Sequence, residues 1–430
     1  MDLQEQISFF ERNRDWQGLI EELEKGLSGN TQNAVKASIH LKLGRVLETK
    51  FLQSVKALKH FQDAYKLNPA LVEALEEARF IYWDLGKTGM VQKLLELELK
   101  NMQDGVRTSE LLVELGDVYC DQGDPDKATQ TYARALGVSK GKNTEASACL
   151  EDVQVQEGSW QDRVAELLRN AHESTEGSVR ARLFIRAARI ARRFAPEAVE
   201  GMLAQAYGAD PANREAAALY ENLLVEAQRT DAIVQQQRKV LLSIADPTIR
   251  GQAAFRFGTR WVTRHQNLEL GVEFLQEAFA TDPSNEAAFT FLREIWGTKE
   301  GNWERVLELL EKASQSHDSS NGSETFLLAQ AATLTWRQLG NFMRARGYFE
   351  RLSAISPDHP SLQAFEKQIG EPVRPREGGR PATPMPGAVA VKSAKSSVAK
   401  APPPPREPRH RRPSPESWLP SPWSSRLHRW

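Results

Sequence analysis

Between Leu112 and Ala135 the apolar and small side chains fall at Leu112, Leu115, Gly116, Tyr119, Ala128, Tyr132 and Ala135. Steps of 3 and 4 put neighbours on one helix face, and the single gap of 9 holds Gly123 and Pro125, a turn. The pattern predicts two amphipathic helices packed face to face. It recurs at Ala148, Glu151, Asp152, Val155, Val164, Leu168 and Ala171, and again at Leu183, Arg186, Ala187, Ile190, Val199, Leu203 and Ala206. Small residues at the eighth and twentieth places let the helices approach, and larger apolar residues between them form the seam.

Proline marks where units end. Asn68-Pro69, Asp210-Pro211, Asp246-Pro247, Asp282-Pro283 and Ser356-Pro357 each close one pair, and Pro211, Pro247 and Pro283 lie 36 residues apart. A proline stops the outgoing helix and suits the first turn of the next. Ile20, Ala57, Met90, Ala128, Val164, Val199, Ile233, Gly271, Val306 and Ala345 anchor the second helices at steps of 33 to 39. Ten helix pairs are therefore predicted over residues 1–368, without strands.

This spacing resembles the tetratricopeptide repeat, a helix–turn–helix unit of about 34 residues. The resemblance is most specific from Leu112 to Ala206 and looser elsewhere. It implies an all-α, right-handed α-solenoid of about ten repeats and a non-catalytic scaffold that binds partner proteins in a concave groove. The half-repeat family of RNA-processing factors shares the tryptophan-rich look and is the alternative. Trp16, Trp160 and Trp303 each open a second helix and lie 144 and 143 residues apart. A duplicated four-unit block would account for that longer period.

Charge divides the chain. The 430 residues carry 56 Lys plus Arg against 57 Asp plus Glu, a net −1, yet residues 371–430 carry +8 and the remainder −9. Fourteen of the 22 prolines also lie in 371–430. Many Pro, Arg and Ser with few aliphatic residues cannot repay the entropy of folding, so residues 369–430 are expected to be a disordered tail. Pro402–Pro405 is a polyproline II candidate, and Trp418, Trp423 and Trp430 sit among arginines. The opposite signs allow the tail to fold back onto an acidic groove. A high-GC reading-frame artefact would produce the same ending.

Most chemistry has no motif here. Gly86-Lys87-Thr88 has Ile81 where a phosphate loop needs glycine, so Gly86 reads as a helix C-cap. The eight histidines show no metal-ligand spacing, and Cys120 and Cys149 cannot frame a disulfide network. Both cysteines read as small buried apolar residues. No catalytic residue, cofactor or metal is expected. No segment is apolar enough to span a bilayer, and the N-terminal MDLQEQISFF has no export signal, so a reduced, cytoplasmic setting is expected.

Binding residues follow from the resemblance alone. Groove positions of the repeat fall on Arg45, Glu48, Arg79, Tyr82, Asp117, Cys120, Arg293, Trp296 and Arg337. Arg beside aromatic residues is the composition of interface anchors. No asparagine follows lysine by four residues, so the clamp that grips chaperone tails is disfavoured. The run from Arg180 to Phe194 carries Arg186, Arg189, Arg192 and Arg193. It reads as a repeat helix with a cationic face, a docking strip for an acidic partner, or a membrane-surface helix. Together with the tail it also supports a nucleic-acid-associated factor.

Overall fold

The computed structural model describes residues 3–375 apart from 13, 30–31, 104 and 317–322. Among the described residues there are ten antiparallel helix pairs, one further helix and no strand. In order, the pairs are α1 (Leu3–Arg12) with α2 (Trp16–Ser28), α3 (Asn33–Phe51) with α4 (Ser54–Leu67), and α5 (Glu73–Asp84) with α6 (Thr88–Asn101). Next come α7 (Val106–Asp121) with α8 (Pro125–Val138), α9 (Thr144–Val153) with α10 (Trp160–Glu173), and α11 (Gly177–Phe194) with α12 (Val199–Ala209). The series continues with α13 (Arg214–Glu226) and α14 (Thr230–Ser243), then α15 (Pro247–Thr263) and α16 (Leu268–Thr281). It closes with α17 (Glu286–Leu292) and α18 (Trp303–Ser316), α19 (Ser323–Arg337) and α20 (Phe342–Ile355), and finally α21 (Pro360–Ile369). A π-helical stretch, Arg293–Lys299, extends α17.

All ten anchors from Ile20 to Ala345 fall in second helices. The proline junctions lie between pairs, with Asn68 and Asp210 as C-caps and Pro247 as the first residue of α15. Within eight of the ten pairs, all but α9–α10 and α11–α12, the turn is also built to a rule. One residue takes a left-handed backbone at Arg14, Leu52, Gly86, Gly123, Gln228, Gln266, Gly301 and Gly340. That conformation turns the chain and lets it satisfy the last carbonyls of the first helix. After α5, Gly86 N–H donates to Trp83 O and Lys87 N–H to Tyr82 O. The Gly86-Lys87-Thr88 run is thus a helix cap, as its spacing indicated.

Small residues set the distance between helices. A methyl on Gly44 would overlap the Phe61 ring, and one on Gly116 would overlap the Tyr132 ring. The apolar core runs in three stretches. The first draws on α2–α9, the second on α10–α19, and the third on α19–α21 around Trp336, Phe349 and Phe365. Two residues cross over: Ala218 of α13 belongs to the first stretch and Leu52 to the second. Packing reaches beyond Ile369, because Val373 is buried and its N–H donates to Glu366.

Trp16, Trp160 and Trp303 are the first residues of α2, α10 and α18, and each is partly buried. Trp160 stacks on Phe194, Trp303 packs against Gly297, and Trp16 Nε1 donates to Glu286 at 2.6 Å. The expectations placed on residues 376–430, including disorder and tail–groove contact, lie outside the described residues.

Candidate functional site

First helices of distant pairs meet each other: α3 touches α17, and α5 touches α13. The partners are seven and four pairs apart. These helices therefore face one inner side, and much of what the repeat pattern offers as groove is spent on self-contact. Arg79 is 2 % exposed and pairs with Glu98 at 2.9 Å and Glu114 at 2.5 Å. Tyr82, Asp117 and Trp296 are equally buried. Arg79, Tyr82 and Trp296, so enclosed, hold repeats together and present no surface to a partner in this conformation, while Asp117 borders a cavity.

The other predicted groove residues divide. Arg45 is exposed and pairs with Glu77 at 2.7 Å, and Arg337 is exposed over the Trp336 ring. Arg293 is half-buried beside Gln330 and Phe289. Glu48 hydrogen-bonds Ser54, but its Oε2 is buried without a hydrogen-bond partner, and burial pushes the carboxyl up to about 7.

The arginine strip of α11 turns inward. Arg186 Nε meets Asp152 at 2.6 Å, and Arg189 meets Asp117 at 2.8 Å, Asp121 at 2.7 Å and also Glu215. Arg182 joins them, contacting Asp117 at 2.6 Å and Glu215 at 3.3 Å. Asp117 is enclosed, which opposes its charge, but Arg182 and Arg189 hold its carboxyl below the usual range. At the outer end Arg192 donates to the Asp121 carbonyl, with the nearest carboxylate oxygen at 3.6 Å. Arg193 donates to the carbonyls of Val153 and Val155. Arg182, Arg186 and Arg189 are thus neutralised by close carboxylates, Arg192 has a carboxylate only at 3.6 Å, and Arg193 faces carbonyls.

A cavity of about 250 Å³ opens beside this network. Arg186, Arg189, Arg192 and Arg193 line it together with Asp117 and Asp152, and Ile190, Val153 and Pro125 supply apolar wall. Cys120 and Cys149 also line it, and burial pushes their thiols up to about 11 and about 12. Thiols so protonated are poor nucleophiles. Chemically, the cavity offers guanidinium donors around a space with apolar walls.

Two features escaped the sequence reading. His40 and His60, 20 residues apart, bring their Nδ1 atoms to 2.9 Å, and burial with His40 beside it pushes His60 down to about 4. Among the described residues no group of three metal-ligating side chains forms. The second is the carboxylates that hold the arginines: Asp121, Asp152, Glu215, Glu221 and Glu286. A signal for some of them existed. Arg45–Glu77, Arg79–Glu114, Arg182–Glu215, Arg186–Asp152, Arg238–Glu273 and Arg344–Glu311 lie 32 to 35 residues apart, one repeat period. Pairs such as Arg214–Asp84, 130 apart, follow no such period.

Among the described residues no helix is long and apolar enough to cross a membrane. A tetratricopeptide-repeat model matches residues 111–146. No curated protein matches the sequence. Among solved structures, the P58(IPK) TPR domain is 14% identical, with 78% of this chain and 98% of that one covered at a TM-score of 0.24. The APC/C hetero-tetramer Cut9-Hcn1 is 14% identical, with 85% and 75% covered at 0.26. Yeast Tom70 is 14% identical, with 86% and 88% covered at 0.23. Residues 111–146 thus carry a tetratricopeptide repeat, and antiparallel helix pairs flank it on either side.

Proposed function

We infer that the chain is a non-catalytic scaffold that binds an acidic segment of a partner protein in the cavity between α7, α8, α9 and α11. The observation that carries this reading is four arginines lining one cavity with apolar walls, the outer two facing carbonyls rather than close carboxylates. A carboxylate side chain entering there would gain charge-assisted hydrogen bonds, and its aliphatic neighbours would bury against Ile190 and Val153. Arg45 and Arg337, exposed on other repeats, extend the candidate surface.

The nucleic-acid reading has less support. Arg182, Arg186 and Arg189 are committed to carboxylates of the chain, which leaves little positive surface for a run of phosphates. A cytoplasmic setting and a role in assembling a larger complex are part of the proposal.

The test is fluorescence anisotropy with a labelled oligoglutamate peptide, an oligolysine peptide and single-stranded RNA. Oligoglutamate binding that weakens about tenfold in Arg192→Glu/Arg193→Glu supports the reading, as for loss of a charge-assisted pair. Equal binding by the variant, or a preference for RNA, overturns it.

A further inference from the structure

The contact between distant first helices differs in make-up from the packing within pairs. Arg214 of α13 reaches Asp84 of α5 at 2.9 Å and lies over the Phe80 ring at 4.6 Å. Asn222 Nδ2 donates to the Gly86 carbonyl at 3.2 Å. Glu286, at the start of α17, collects Arg14 at 2.7 Å, Trp16 Nε1 at 2.6 Å and Lys50 at 3.6 Å. The α5–α13 pair is partly wet, with Arg214 35% and Asp84 27% exposed, whereas Glu286 is buried at 6% under Arg14 and Lys50. Partly exposed pairs such as Arg214–Asp84 are individually weak and screened by salt. A polar contact between parts of one chain is a breakable one.

The same contact holds groups that resist enclosure. The Glu48 carboxyl lies against Asp84, Glu77 and Arg214 with one oxygen lacking a hydrogen bond. Arg256 sits beside Arg214 and Arg260, with Asp84 and Asp210 as its countercharges. Opening would return these groups to water.

The contact is tied to the cavity by two consecutive residues. Arg214 grips Asp84, and the next residue, Glu215, accepts from Arg189 and Arg182 beside the cavity. Both belong to the first turn of α13, so they move together. We propose that the α5–α13 contact is a gate on the partner cavity, and that its release withdraws Glu215, leaving Arg182 and Arg189 with one carboxylate fewer and the cavity more positive toward an acidic partner segment. This rests on the cavity being the partner site. By linkage, a partner that prefers the more positive cavity also favours the open state.

The test uses the full chain with Asp84→Arg, which sets two arginines against each other, and the swap Asp84→Arg/Arg214→Asp, which restores the pair. Hydrogen exchange reads the gate at the Asp84–Thr88 turn and the first turn of α13, and oligoglutamate anisotropy reads the cavity. Exchange is expected to rise about tenfold in Asp84→Arg, peptide affinity to rise by a similar factor, and both to return in the swap. Wild-type exchange at the same two places should also rise with added sodium chloride, which does not depend on either variant folding. Unchanged exchange in Asp84→Arg and in salt overturns the gate. Faster exchange with wild-type peptide affinity overturns the coupling to the cavity. Faster exchange with no peptide bound by any of the three proteins refutes the cavity reading itself, and the regulatory role falls with it.

Discussion

Arg79 shows how a side chain's role changes once the repeats are stacked. The repeat pattern offers it as a groove anchor, yet it lies between α5, α6 and α7, held by Glu98 and Glu114, while the Trp83 indole also donates to Glu114. Burial draws the Glu98 carboxyl upward despite that pairing. Arg79→Leu strands a buried carboxylate, so denaturant unfolding should show a loss of about 3 kcal/mol. Glu48 gives a pH signature. Its pKa is about 7 in the folded chain against an ordinary 4.5, so the folded state holds the proton more tightly. Stability must then fall as pH rises from the ordinary carboxylate range through neutrality. Unfolding of Glu48→Gln at about pH 8 should show a gain on the order of 2 kcal/mol that shrinks toward about pH 5. Equal stabilities at both values would show that Glu48 is solvated. Neither role is legible locally, because each also depends on residues a repeat or more away, Glu114 for Arg79 and Asp84 and Arg214 for Glu48.

At the scale of helices the sequence is most informative. The small residue at the eighth place of a unit is required by the aromatic ring opposite it: Gly116 by Tyr132, Gly44 by Phe61. Gly116→Ala should cost about 1–3 kcal/mol through overpacking, although alanine is the better helix former. The within-pair turns make a second expectation. Gln228 is exposed and left-handed at φ 58°, a conformation that burdens any residue with a Cβ. Gln228→Gly should therefore raise stability by about 0.5–1 kcal/mol in thermal unfolding. A loss would mean that the turn is not left-handed. Glycine at Gly86, Gly123, Gly301 and Gly340 is a visible turn signal, whereas Gln228, Gln266 and Leu52 take the same conformation unmarked. Tertiary packing overrides residue preference there.

For the whole molecule, the described fold and the charge division place the edge of the array differently. Composition puts the boundary at 368/369, while Val373 is still buried and Glu371 pairs with Arg346 at 2.6 Å. A chain ended after Glu377 should keep the thermal midpoint of the full protein. One ended before Pro360 uncovers Phe349 and Trp336, which pack on Phe365, and its midpoint should fall by several degrees, as for loss of a buried aromatic. Equal midpoints would show that α21 contributes nothing to the array. A further long-range determinant is Glu221, fully buried among Arg260, Arg264, His265 and Tyr207. Burial opposes its charge, but those partners prevail and hold it at about 2, so its contribution should persist until strongly acidic pH.

By itself the sequence determined the helix pairs, their period, the proline junctions and the positions of close approach. Each of these is set by residues within one or two turns of each other or by one repeat of spacing. Only the tertiary structure decided which inner faces remain open. Whether Arg214 meets Asp84, or Trp16 meets Glu286, depends on small rotations summed over four to eight pairs, and no local pattern records that sum. The same accumulation turns the α11 arginines from an apparent cationic face into a mostly neutralised network that ends at Arg192 and Arg193 beside the cavity.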